Sequence, residues 1–198
     1  MHITIAQQNT ARKTEHLIAL VSTEKEIPND QFSKEEMSYI RKEMKDKKKQ
    51  IVINQYKRLA IVQVLTNATA SDYVALEACR KAGATLCARI NSAKASHVTI
   101  SSGLNNEVVL AFAEGLALSN YQFLKYKTKS ASEKNSLKSI GIHHKAITKS
   151  EIDYLKAACM AVYKSRDLVN EPPNFLTAVE LANQFTKMGK EAGFTVTV

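Results

Sequence analysis

The spacing of apolar residues along this chain switches between alternation and steps of three and four, and each switch marks a strand or a helix. Ile3 and Ile5 alternate in a short first strand within residues 1–21, and Leu17-Ile18-Ala19-Leu20-Val21 is a continuous apolar run of the kind buried on both faces of a sheet. The residues between them are polar and loop-like. Phe32-Ser33-Lys34-Glu35-Glu36-Met37 predicts a helix start: Ser33 caps, Glu36 reaches back, and Phe32 and Met37 occupy staple positions. Met37, Ile40 and Met44 make the buried stripe of that helix. Ile51-Val52-Ile53 and residues 59–65 then read as a pair of strands, separated by polar residues that include Asn54, Lys57 and Arg58.

From Asp72 the period lengthens. Tyr73, Leu76, Cys79, Gly83, Leu86 and Ile90 line one face of a long helix, with Glu77 beside Lys81 on the other. Gly83 costs about 1 kcal/mol relative to alanine in a helix interior, so its presence implies close approach of another backbone. His97-Val98-Thr99-Ile100-Ser101 alternates as a strand, Ser102-Gly103 turns the chain, and Asn105 or Asn106 caps a helix. That helix is apolar on several sides (Val108, Val109, Leu110, Phe112, Ala113, Leu116, Leu118), so it must be covered on more than one, and its Gly115 again implies tight packing.

After a polar, basic segment at residues 125–135, Leu137, Ile140 and Ile142 predict a strand ending at His143-His144. Ser150-Glu151-Ile152-Asp153 starts a further helix with Ile152, Leu155, Cys159 and Val162 on one face. Pro172 and Pro173 break it, since neither donates a backbone N–H and each restricts the residue before it, which makes Glu171 and Pro172 extended. Thr177 with Glu180 opens the next helix, whose stripe is Leu181, Phe185, Met188 and Ala192 and whose stop is Gly193. Phe194-Thr195-Val196-Thr197-Val198 alternates as a strand.

This order predicts an α/β fold with a mixed, mainly parallel sheet flanked by helices. The domain reading is an amino-terminal α/β domain over residues 1–148, a connecting helix over 149–170, and the truncated start of a second domain over 171–198.

Composition narrows the partners. Apolar residues at 44% and charged residues at 24% are those of a globular domain rather than a disordered chain. The formal charge of +9 permits nucleic acid or an acidic membrane as partner, with residues 45–49 and 125–134 as the basic stretches. Residues 45–49 read first as a solvated helix end, where lysines meet the negative end of the helix dipole. Aromatic residues at 7%, with no tryptophan, weigh against a nucleic-acid module, which remains the alternative reading. The three cysteines, Cys79, Cys87 and Cys159, fall in apolar helical patterns and argue for a reducing cytoplasm rather than a disulfide framework. No apolar run has the length of a signal peptide or a membrane span, so no membrane partner is expected.

Catalytic motifs do not appear. HExxH, a cysteine pair at zinc spacing, G-x-S-x-G and a glycine-rich phosphate loop are all missing. His143 and His144, adjacent on a strand, point to opposite faces and cannot readily share a metal. Asp167 and Glu171 resemble a carboxylate pair, but the proline break removes the helical geometry that would align them. Asp167 or Asn170 instead fixes backbone groups at the helix end.

Two stretches carry a family resemblance. Residues 166–174, RDLVNEPPN, followed by Phe175-Leu176-Thr177, resemble the segment that joins the two domains of the leucyl aminopeptidase (cytosol aminopeptidase) family. Upstream, Glu114-Gly115, Leu118, Tyr121, Phe123 and Tyr126-Lys127-Thr128-Lys129 resemble that family's EG..L..Y.F..YKTK run. The resemblance implies that the full-length enzyme removes amino-terminal residues from peptide substrates, uses two divalent metal ions (zinc or manganese), and assembles as a homo-hexamer. The family's lysine and carboxylate ligands, including those of an NTDAEGR motif, have no counterpart between Met1 and Val198. No catalytic, cofactor-binding or metal-binding residue is therefore assigned: the chain is expected to be the inactive amino-terminal portion, with an architectural role and no metal of its own. One departure is Ala178, where the family often has proline after the threonine.

Overall fold

The computed structural model describes residues 3–66, 72–128 and 133–198, so Met1 and Lys129 lie outside the described residues. Six strands, β1 (Thr4–Gln7), β2 (Leu17–Val21), β3 (Gln50–Gln55), β4 (Arg58–Val64), β5 (His97–Ser102) and β6 (Ser139–His143), make one sheet in the order β1-β6-β5-β2-β4-β3. All neighbours run parallel except the β3–β4 hairpin. Five α-helices accompany them among the described residues: α1 (Lys34–Lys45), α2 (Tyr73–Ser92), α3 (Asn106–Ser119), α4 (Lys149–Asn170) and α5 (Ala178–Ala192). This is the α/β class, with the mixed, mainly parallel sheet that the pattern predicts.

The chain divides into two compact units, residues 1–159 and 160–198, with the division inside α4. In the first unit, β2 is buried at every position. Leu17, Ala19 and Val21 on one face of β2 meet Met37 and Ile40 of α1 in a cluster that also holds Ala60, Val62 and Ile51. The α1 start is as predicted: Ser33 accepts from Glu36 N at 3.2 Å and Glu36 returns a bond to Ser33 N at 2.8 Å. Met44 is half-buried, and Glu43 is buried in its place, held by Lys48 at 2.6 Å and Tyr39 at 3.3 Å.

The glycines of α2 and α3 sit where the two helices cross. A Cβ on Gly83 would lie 2.9 Å from Leu116 N and closer still to Phe112 O, and one on Gly115 would lie 2.6 Å from both Cα and C of Arg80. Backbone meets backbone at both points, as the sequence implies. Burial along the α2 stripe begins at Cys79, level with this crossing, so Tyr73 in the first turn is 84% exposed rather than part of the buried face.

Other expectations change. Arg58 is not a linker residue: it opens β4 and is buried, because its guanidinium finds carbonyl acceptors inside the fold. The α4 cap is Thr148, two residues before Ser150, with Thr148 Oγ1 accepting from Glu151 N at 3.3 Å and Glu151 Oε2 accepting from Thr148 N at 2.7 Å. Ile152, Leu155 and Cys159 are buried along α4, whereas Val162 is half-buried and Tyr163 takes the buried position.

The second unit is the end of α4, the proline turn and α5. Lys164 Nζ bonds Glu191 Oε2 at 3.0 Å, joining the two helices. Gly193 ends α5 in the left-handed region at φ 83°, and Phe194 N donates back to Gly189 O at 2.9 Å. The expected α5 stripe is not buried: Leu181 and Met188 are half-buried, and Phe185 and Ala192 are exposed. Residues 194–198 form no strand, because no neighbouring edge supplies a ladder.

Candidate functional site

The proline joint is built from local bonds. Asn170 Nδ2 donates to Arg166 O at 2.7 Å, fixing the end of α4 in the way its residue type suggests. Past it, Pro172 O accepts from Phe175 N at 2.9 Å and Leu176 N at 3.0 Å, and Thr177 Oγ1 accepts from Glu180 N at 3.3 Å to start α5. Asp167 lies within α4 while Glu171 lies beyond its end, so the two do not share a helical face. A shallow groove on this stretch of α4 is lined by Ala161, Val162, Ser165, Arg166, Val169 and Asn170, and no acidic side chain lines it.

A richer polar cluster sits in the first unit, on one face of β5 and β6. Register pairs His97 with Ser139, Thr99 with Gly141 and Ser101 with His143 on that face, and Val98, Ile100, Ile140 and Ile142 fill the other. His97 Nδ1 is 2.8 Å from Ser139 Oγ, and His97 Nε2 is 3.0 Å from Gln8 Nε2 and 3.2 Å from Thr99 Oγ1. Thr99 Oγ1 reaches Gln8 Oε1 at 2.8 Å and Glu15 Oε2 at 3.0 Å. The Gln8 side chain crosses the sheet over Gly141, where a Cβ would come within 2.6 Å of its amide atoms.

Ser139, His97 and Glu15 have the residue types of a hydrolytic triad, but not its arrangement. The carboxylate stands 3.9 Å from His97 Nε2, and the Gln8 amide occupies hydrogen-bond distance instead. A metal fares no better. His16 Nδ1 accepts from Leu59 N at 2.9 Å, which puts its ring proton on Nε2 and removes it as a ligand. Burial, then the nearby His97 and Arg58, lowers the His16 pKa. Among the described residues no group of three or more His, Cys, Asp or Glu side chains converges to hold a metal.

The adjacent histidines part as alternation requires. His143 Nδ1 lies 3.2 Å from Ser101 Oγ, and His144, just past β6, is buried with Nδ1 accepting from Ala146 N and Ile147 N and Nε2 donating to Leu104 O at 2.8 Å. The polar cluster went unpredicted because its members come from residues 8, 15, 97, 99 and 139. Its signal is nevertheless present: a strand inside a mainly parallel sheet, expected to be apolar on both faces, carries His97, Thr99 and Ser101 at alternate positions.

Of the basic stretches, Lys45 ends α1 and residues 46–49 lie in the turn beyond it, where Lys47 takes φ 59°. Lys125 stands over the Tyr126 ring at 5.4 Å, and Lys127 pairs with Glu133. All three cysteines are free and buried. Among the described residues no helix is long and apolar enough to cross a membrane.

The fold thus defines an α/β domain with a tight α2–α3 seam and no assembled catalytic constellation among the described residues. Residues 67–130, which contain that seam, match the family described as "Cytosol aminopeptidase family, N-terminal domain". The chain is 31% identical over 128 residues to a probable cytosol aminopeptidase of Mycobacterium ulcerans, an alignment covering 62% of this chain and 24% of the relative. It is 31% identical over 118 residues to one from Aquifex aeolicus, covering 58% and 24%. Among solved structures, a tomato leucine aminopeptidase mutant superposes with a TM-score of 0.68 at 21% identity, over 96% of this chain and 42% of that one. The bottromycin maturation enzyme BotP superposes with a TM-score of 0.62 at 18% identity, over 90% and 38%. The family match and these relatives support the N-terminal domain of the leucyl (cytosol) aminopeptidase family as what the chain resembles. The alignments span about a quarter of the length of these curated relatives.

Proposed function

We propose that these residues form the amino-terminal, non-catalytic portion of a cytoplasmic, metal-dependent leucyl aminopeptidase that hydrolyses amino-terminal residues from peptides. Residues 1–148 are the amino-terminal domain, 149–170 a connecting helix, and 171–198 the start of the catalytic domain. The observation that carries the reading is the family match over residues 67–130, which falls on the domain's own α2–α3 core and not on a catalytic motif. Among the described residues no group of side chains fits a two-metal centre. The Gln8 amide takes hydrogen-bond distance from His97 while Glu15 stands 3.9 Å away, and His16 has its ring proton on the nitrogen a metal would need. In this reading the metal ligands and catalytic groups lie outside residues 1–198, and this domain's role is architectural, positioning or shielding catalytic domains in a homo-hexamer.

The test is hydrolysis of leucine p-nitroanilide by the purified chain with zinc or manganese added. No turnover above the metal-only blank is expected. Hydrolysis that disappears on chelation overturns the reading.

A further inference from the structure

We propose that His97, Gln8, Thr99 and Glu15 form a proton-operated hydrogen-bond switch, in which protonation of His97 reverses the direction of donation through the Gln8 amide and the Thr99 hydroxyl. The neutral state follows from one distance. Gln8 Nε2 lies 3.0 Å from His97 Nε2, and an amide nitrogen only donates, so His97 Nε2 carries the lone pair. The ring proton is then on Nδ1 and is donated to Ser139 Oγ at 2.8 Å, while Thr99 Oγ1 donates to Gln8 Oε1 at 2.8 Å. Donation runs from Thr99 to Gln8 to His97 to Ser139.

One proton taken from solvent onto His97 Nε2 sets two donors against each other. Rotation of the Gln8 amide about its last side-chain torsion removes the conflict: Oε1 then accepts from His97, and Nε2 donates to Thr99 Oγ1. The threonine must release its former acceptor, and a second one is already in place, Glu15 Oε2 at 3.0 Å. Donation now runs from His97 to Gln8 to Thr99 to Glu15, ending on a carboxylate that also faces the imidazolium at 3.9 Å. The only covalent change is the new N–H bond on His97. Gly141 makes room for the rotating amide, since a Cβ there would come within 2.6 Å of both amide termini.

Among the described residues the charged and titratable groups around His97 are few. The β1–β2 connection supplies Glu15, with Arg12 3.9 Å from it, and His16. The start of β4 supplies Arg58, which acts on His16. On β6 the partner residues Ser139 and Gly141 are uncharged, with Lys138 before them and His143 beyond. The edge strand β1 brings no charge. Gln8 opens the β1–β2 connection and Glu15 nearly closes it, so the switch ties the proton state of His97 to how both ends of that connection are bonded to β5.

Side-chain nitrogen NMR of the ¹⁵N-labelled chain across a pH titration tests this. Neutral His97 should show the Nδ1–H tautomer, and the Gln8 side-chain NH₂ pair should shift with the same midpoint as the His97 ring. His97→Asn should abolish that Gln8 shift, whereas His16→Asn should leave it in place. A neutral Nε2–H tautomer, a Gln8 pair that holds its position while His97 titrates, or a Gln8 shift that persists in His97→Asn overturns the proposal. The wild-type tautomer and co-titration decide the matter even where a variant fails to fold.

Discussion

Replacing Gly115 with alanine tests the α2–α3 seam directly, because helix propensity and packing pull in opposite directions there. Propensity favours the substitution by about 1 kcal/mol. Against it, the new Cβ would sit 2.6 Å from both Cα and C of Arg80, and nearer still to its carbonyl oxygen. Ordinary carbon contacts are about 3.5–4.0 Å, so relief requires α2 and α3 to part by about 1 Å. No flexible side chain can yield, since every offending atom is backbone. Overpacking of this kind typically costs about 1–3 kcal/mol, and a gap of about 1 Å forfeits up to about half of each dispersion contact along the seam. The packing loss wins, and a net destabilisation of about 2–4 kcal/mol is expected, or about 5–15 °C in Tm for a domain of this size. The assay is thermal unfolding by circular dichroism beside Gly103→Ala. Gly103 has no atom within 4 Å of its would-be Cβ and no left-handed backbone, so that control should hold or slightly raise the Tm. A Gly115→Ala variant that melts at or above wild type would refute the seam argument.

Substitutions at two further positions probe buried polar groups. Arg58 donates from Nε to Glu15 O at 2.9 Å, from Nη1 to Gln31 O at 3.0 Å and from Nη2 to Gln31 Oε1 at 2.9 Å. Arg58→Met strands these acceptors and should cost about 3 kcal/mol in urea unfolding, and Arg58→Lys should recover only part because one ammonium cannot reproduce the fork; wild-type stability in Arg58→Met contradicts this. Cys159 is buried, and burial, helped by Glu114, pushes its thiol from the usual 9 up to about 11. The folded state keeps that proton while the unfolded state releases it, so stability should fall by about 2–3 kcal/mol as pH rises from about 9 to 11. Cys159→Ala should remove that part of the alkaline slope, and identical slopes in the two proteins would exclude it.

The pattern of residues disclosed most of the first unit because each signal there is local. A capping box needs only Ser33 and Glu36, and the buried run of β2 needs only that both its faces be covered. Gly83 and Gly115 were legible as close approaches, although which backbone each meets depends on how α2 lies on α3. The burial of Arg58 is not legible in the pattern because a buried arginine in a strand is explained only by distant carbonyls, those of Glu15 and Gln31. In the second unit the pattern promises more than the structure holds, for the opposite reason. The stripe of α5 and the alternation of residues 194–198 are true patterns, but burial and a strand ladder both require a partner surface, and a pattern alone supplies none.

The residues that disclose the family turn out to have a packing role, and the Arg80–Glu114–Gly115 contact shows how. Glu114 Oε2 accepts from Arg80 Nε at 2.7 Å, while Gly115 receives the backbone of the same arginine. Side chain and main chain of one α2 residue are thus gripped by two consecutive α3 residues. An acidic residue followed by glycine is what that grip demands: a carboxylate to hold the guanidinium, then no Cβ where the helices touch. Read as chemistry, Glu114 would be a candidate acid; its guanidinium partner makes it instead a clamp that fixes the register of α2 on α3. Phe123 and Tyr126, further along the same run, pack their rings 5.9 Å apart at 54°, again a structural use. The proline joint repeats the lesson, with Asn170 and Thr177 spent on closing one helix and opening the next. Local motifs of this kind are recognisable because each solves a geometric problem within a few residues or at one crossing. The polar cluster at His97 escaped because it is assembled from four separate parts of the chain, brought together by the pairing of β1 and β5 on β6 and of β2 on β5.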